Sequence, residues 1–120
     1  MIDRTVLADL CGDFHFEIAN NSYEDRNNTW ASYLILAYYF YQSCGNWEGI
    51  RACTDFLHPE MSWGGFETEI MKGRRKMDLG KYTKDFLSYI VNNYPEYLED
   101  EFKARTAVIK SHYDLMGTKS

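Results

Sequence analysis

Twelve consecutive residues, Trp30-Ala-Ser-Tyr-Leu-Ile-Leu-Ala-Tyr-Tyr-Phe-Tyr41, offer no face to water, Ser32 being their one strongly polar member. A helix that is apolar all round belongs inside something, and a membrane span needs roughly 20 such residues. The run is too short for that. It reads as the central element of a water-bounded core. Asn28 or Thr29 can cap it and Cys44-Gly45 can stop it. Tyr and Phe would also suit a strand, but the distance from cap to glycine is long for one and ordinary for a helix.

The rest of the chain repeats the helical signal. Apolar residues at 2, 6, 7, 10, 11, 14 and 18 share one helical face, with Asp3 placed to cap it. Residues 20–28, dense in Asn, Ser and Asp, read as a loop. Asn46 opens a third helix running through His58 to Pro59, antiparallel to the second. A loop covers 60–65, a short helical piece 66–71, and a basic connector 72–80 that Gly73 and Gly80 break. Tyr82, Phe86, Ile90 and Tyr94 recur every four residues, so a helix spans about 83–93. Pro95 ends it and opens a final helix, Glu96 to Met116, whose acids Glu96, Glu99 and Asp100 suit the positive end of the helix dipole. The expectation is an all-α fold, a single bundle of five or six helices around residues 29–44, with residues 1–120 as one domain.

Composition narrows the function. At 45% hydrophobic and 17% aromatic the chain is too apolar for disorder. No basic segment leads into an apolar stretch at the start, and Cys11, Cys44 and Cys53 are odd in number with no Cys-x-x-Cys spacing. A cytoplasmic protein with reduced cysteines and no membrane association is expected. Residues 1–60 carry nine acids against three bases, whereas 61–120 carry nine against ten. The acidic half repels a phosphate backbone and attracts a basic protein. No glycine-rich phosphate loop, nucleophile elbow or metal-ligand spacing occurs, and His15, His58 and His112 are far apart. No cofactor and no metal are expected.

Three groups of residues carry the functional expectations. If the second and third helices are antiparallel, the loops before and after them meet at one end of the bundle. That end would display Tyr23, Glu24, Asp25, Glu60, Trp63, Phe66 and Glu67, aromatic anchors among carboxylates that steer a basic partner. In the plainer arrangement Trp63 and Phe66 fold inward as a lid on the core.

The second group lies on the final helix, where Leu98, Phe102, Ile109, Tyr113 and Met116 form an apolar stripe that contains Arg105 and His112. The segment Arg105-Thr-Ala-Val-Ile-Lys-Ser-His112 resembles the Arg-x4–6-His signature of HEPN-domain ribonucleases over eight residues. That resemblance implies a dimeric, metal-independent ribonuclease in which Arg105 and His112 promote attack by an RNA 2′-hydroxyl, with Thr106 as the polar residue after the arginine. The alternative, favoured by the acidic first half, pairs Arg105 with a carboxylate at the core's edge and His112 with a backbone carbonyl or a Tyr hydroxyl. The third group, six cations within thirteen residues from Lys72 to Lys84, has no aromatic interleaved for base stacking and reads as a solvated connector.

The leading expectation is therefore a small acidic protein-binding module, monomeric or homodimeric, without catalytic residues. In size and charge it resembles inhibitors of the toxin-immunity or phage anti-defence type, which occlude a basic or nucleic-acid-binding surface of another protein. The HEPN-type ribonuclease and a scaffold or assembly chaperone are the alternatives.

Overall fold

The computed structural model describes residues 1–24, 29–57, 61–72 and 78–117. They form an all-helical bundle of α1 (Arg4–Asn21), α2 (Thr29–Cys44), α3 (Trp47–Leu57), α4 (Trp63–Lys72), α5 (Leu79–Asn93), a 3₁₀ turn (Pro95–Tyr97) and α6 (Glu101–Gly117). No described helix is long and apolar enough to cross a membrane.

α2 is the axis of the bundle. Every side chain from Trp30 to Tyr41 is buried or half-buried, and four consecutive residues, Leu34 to Ala37, are fully buried, so the helix keeps no solvent face. Phe40 joins it to a cluster built with α1, α5 and α6, while Leu34, Leu36 and Tyr41 lie in a second cluster with α3 and α4. Burial of this many apolar side chains, each contributing about 1.5–3 kcal/mol relative to exposure, makes α2 a large contributor to the fold's hydrophobic stabilisation.

Local chemistry sets the helix ends. Asp3 accepts the Val6 N–H at 2.9 Å. At the same end of the α1–α2 pair, Gly45 takes φ 71°, and the Asn46 and Gly45 N–H groups donate to Tyr41 and Gln42 carbonyls, a turn that requires a left-handed residue. Asn46 then caps α3 by accepting the Gly49 N–H at 3.0 Å while its Nδ2 donates to Asp9 of α1. The ring contacts run Tyr41 to Gly49 at one end and Trp30 to Phe56 at the other, so α2 and α3 are antiparallel, as expected. Asn28 and Pro59, the expected cap and terminator, lie outside the described residues.

Four expectations need correction. The last helix begins at Glu101 rather than Glu96: Pro95 opens only a 3₁₀ turn, the Leu98 carbonyl accepts from Ile2 N–H at 2.7 Å, and Asp100 caps α6 by accepting the Lys103 N–H at 2.9 Å. α4 is longer than 66–71, because Ser62 accepts the Gly65 N–H at 3.2 Å and starts the helix earlier, and Gly80 sits in the first turn of α5 behind the Asp78 cap instead of breaking the chain.

The fourth correction concerns the face of α6. The stripe Phe102, Ile109, Tyr113 and Met116 points to solvent, and the core face of α6 is Ala104, Ala107, Val108, Ser111 and His112. α1 keeps the expected face, with Leu7, Leu10 and Cys11 buried and Ile2, Val6, Phe14 and Ile18 half-buried, and Ala8, Gly12, His15 and Ala19 widen the buried side. Small residues let helix backbones approach closely, and dense packing against the neighbour outweighs placing the largest apolar groups inward.

Candidate functional site

The end of the bundle where α1 runs into α2 and α3 into α4 gathers the expected aromatics. Tyr23 packs edge-on against Trp30 and Phe56, with ring centroids 5.0 and 5.1 Å away, and remains 51% exposed. Glu24 beside it is exposed. Together with Asn20, Asn21 and Phe56 they line a shallow concavity of about 540 Å³.

The other expected members of this surface are arranged differently. Phe66 is buried, stacked on Trp30 at 5.6 Å, and is not displayed. Trp63 is half-buried, stacked on Tyr38 at 4.5 Å. Both therefore form the lid on the core, because a large aromatic face gains more from the neighbouring rings than from water. Glu67 is half-buried and hydrogen-bonded to Tyr39, whose phenol is pushed up by burial and then by the Glu67 charge. Asp25 and Glu60 lie outside the described residues, as do His58 and residues 73–77 of the basic connector.

The second region is the groove between α1 and α6. The two helices run parallel, from the Ile2–Leu98 hydrogen bond to the Phe14–His112 ring contact at 5.2 Å. Leu10, Asp13, Arg105 and Val108 line one cleft of about 260 Å³, and Ile18, Asn21, His112 and Tyr113 line another of about 370 Å³; Phe14, Glu17 and Ile109 border both.

Arg105 and His112 share this groove but not an environment. Arg105 is exposed, and among the described residues no ion pair joins it to a carboxylate. The expected pairing at the core's edge is corrected: Arg105 lowers the Asp13 carboxyl only weakly, against a larger rise from burial. Asp13 instead accepts the Tyr41 hydroxyl at 2.6 Å. His112 is 8% exposed, with Nε2 3.3 Å from the Tyr33 hydroxyl, the partner type the structural reading of this residue expected. Its Nδ1 is enclosed with no hydrogen-bond partner among the described residues, and burial holds its pKa below the ordinary value.

Deeper in, 6.1 Å from the His112 ring, lies His15, fully buried. Its Nδ1 meets the Cys11 carbonyl at 2.8 Å and its Nε2 the Tyr82 hydroxyl at 3.5 Å. Burial pulls its pKa down to about 3, which keeps the ring neutral, and with Nδ1–H donating to the carbonyl, Nε2 is left to accept. Among the described residues no group of three or more His, Cys, Asp or Glu is placed to hold a metal ion. Cys11 and Cys53 are buried free thiols, Cys53 pushed up by burial to about 12.

Two exposed features escape a hydropathy reading. The α6 stripe is one, and its only sequence signal is the alternative face of Ala104, Ala107 and Ser111 on the opposite side. Trp47, 75% exposed in the first turn of α3, is the other. Comparison with models of known families, with curated proteins and with solved structures finds no match.

Proposed function

We propose that this chain works by binding another protein, with the Tyr23–Glu24 end as its contact with a basic partner. The observation that carries the reading is Tyr23 itself, held by Trp30 and Phe56 yet half-exposed beside the exposed Glu24. An aromatic anchor fixed before binding loses little conformational freedom on association, and an adjacent acid adds steering toward a basic surface. The narrower form, an occluding inhibitor of the immunity-protein or anti-defence type, draws support from the acidic excess of residues 1–60. Such a role needs shape and charge rather than reacting groups. A scaffold or assembly chaperone would use the same surface.

The test is affinity capture from the native host with the wild-type chain and with a Tyr23→Ala/Glu24→Lys variant. A protein held by the first and lost by the second, with an association rate that falls steeply as salt rises, supports the reading. Equal capture by both, or a nucleic acid as the bound species, overturns it.

One observation favours the second reading. Arg105 is exposed at the groove that His112 also lines, with Glu17 between the two clefts. A metal-independent ribonuclease would need that opening.

A further inference from the structure

The solvent face of α6 is built like one half of a symmetric contact. Phe102 is 82% exposed, Ile109 41%, Tyr113 67% and Met116 63%, and Arg105 stands exposed in the same stripe. Taking Ile109 as origin, Arg105 and Tyr113 lie four residues before and after it, and Phe102 and Met116 seven before and after. At about 100° per residue all five fall within an arc of roughly 80°, along about 21 Å of helix. The order of side chains is thus balanced about Ile109 in position and complementary in chemistry.

We propose that this face binds a second copy of the chain, with the two α6 helices antiparallel and a two-fold axis passing at Ile109. In that register Ile109 meets its own symmetry mate, Phe102 faces Met116 of the other copy, and Arg105 faces Tyr113 of the other copy. Each pairing is favourable on its own terms: aliphatic on aliphatic, thioether on an aromatic ring, guanidinium on a phenol face. A two-fold interface requires one patch to complement itself, and this stripe does so only in the antiparallel sense. A parallel pairing would set Arg105 against Arg105, a like-charge contact that the antiparallel one avoids.

The neighbouring cations leave the seam free. Lys103 is drawn back to Glu99 at 2.6 Å, and Lys110 to the Tyr97 hydroxyl at 2.9 Å. Arg105 is consequently the cation that the stripe itself presents. On the partner side, the Tyr113 ring is two-thirds exposed and available for it. The proposal uses a different surface from the Tyr23–Glu24 end and stands or falls separately from it.

The experiment is sedimentation equilibrium of the full chain, mass 14.1 kDa, over a micromolar concentration series. Dimers are expected for the wild type. Ile109→Asp, at an exposed helix position, should weaken the dimer at least tenfold with unchanged helical circular dichroism, and Arg105→Glu should weaken it less. Register is read by oxidation of single variants on a non-reducing gel. Ile109→Cys should cross-link to itself, and Phe102→Cys should cross-link to Met116→Cys when the two are mixed but not to itself. A chain that stays monomeric at every concentration overturns the proposal, as does a dimer insensitive to Ile109→Asp. Self-linking of Phe102→Cys without the mixed product overturns the antiparallel register and with it the proposal. A monomer that loses a different captured protein on Ile109→Asp assigns the face to a heterologous partner and also overturns it.

Discussion

The ring of Tyr41 on α2 lies directly against the backbone of Gly12 on α1, where an added Cβ would stand 2.7 Å from two ring carbons. Gly49 of α3 meets the same ring from another helix, with a Cβ distance of 2.5 Å. Neither contact can relax cheaply, because Tyr41 is buried and its hydroxyl is tied to Asp13 at 2.6 Å. Replacing Gly by Ala in a helix ordinarily gains about 1 kcal/mol, whereas overpacking of this kind costs about 1–3 kcal/mol. Gly12→Ala and Gly49→Ala are therefore expected to destabilise the chain in urea unfolding. Both should become neutral or stabilising once Tyr41→Ala has removed the ring. Destabilisation that persists in the Tyr41→Ala background would show that the ring is not the cause.

Leu34 and Leu36 are fully buried on α2 and both belong to the cluster shared with α3 and α4. Leu34→Ala and Leu36→Ala should each cost about 2–5 kcal/mol, through lost transfer free energy and the cavity left behind. For a domain whose net stability is on the order of 5–15 kcal/mol, the worse of the two should unfold at markedly lower urea. Two variants as stable as the wild type would displace α2 from the centre of the fold.

α2 was readable from sequence because its signal is one-dimensional: Ser32 is the one strongly polar residue in the run, a glycine closes it, and no neighbour has to be known. The caps Asp3 and Asn46 were readable for the same reason, since each acts on N–H groups within three residues. The face of α6 was not. Which side of a helix turns inward depends on how near the next backbone can come, and Ala104 and Ala107 permit an approach that Ile109 would block. Hydropathy ranks those residues the other way. At the candidate site, Tyr23 and Glu24 stand where the sequence put them, but Phe66 found Trp30, a partner 36 positions away. Nothing local to Phe66 signals that stack.

Stability should fall with acid in a way that names its residue. His15 is buried neutral, its pKa brought by burial from an ordinary 6.5 down to about 3, while the unfolded chain binds the proton near the ordinary value. A depressed folded pKa contributes stability that is complete above the unfolded pKa and is lost as pH falls from there toward the folded one. One proton taken up on unfolding gives about 1.4 kcal/mol per pH unit at full slope, and about 2 kcal/mol between about pH 7 and about pH 5. His112, also lowered by burial, acts in the same direction; the raised Asp13 carboxyl acts oppositely. Urea midpoints measured at the two pH values should therefore differ less for His15→Phe than for the wild type. An unchanged difference would mean that His15 is not the titrating group.

Arg105 and His112 share a stripe in the sequence and part company in the structure, and this separation predicts unequal responses to substitution. Arg105 is exposed without an ion pair among the described residues, so Arg105→Ala should change stability by less than about 0.5 kcal/mol at concentrations where the chain is monomeric. His112 packs against Phe14 at 5.2 Å and Tyr33 at 5.6 Å and shares a hydrogen bond with the Tyr33 hydroxyl. Removing its ring leaves a cavity beside a hydroxyl that has lost its partner, at a cost of about 2–3 kcal/mol. Tyr33→Phe should lose part of that, because the Nε2 contact goes while the ring packing stays. A ribonuclease predicts a different pattern, in which both alanine variants fold and both lose RNA cleavage measured without added metal. His112→Ala as stable as the wild type and inactive on an RNA that the wild type cuts would replace the protein-binding reading with the catalytic one.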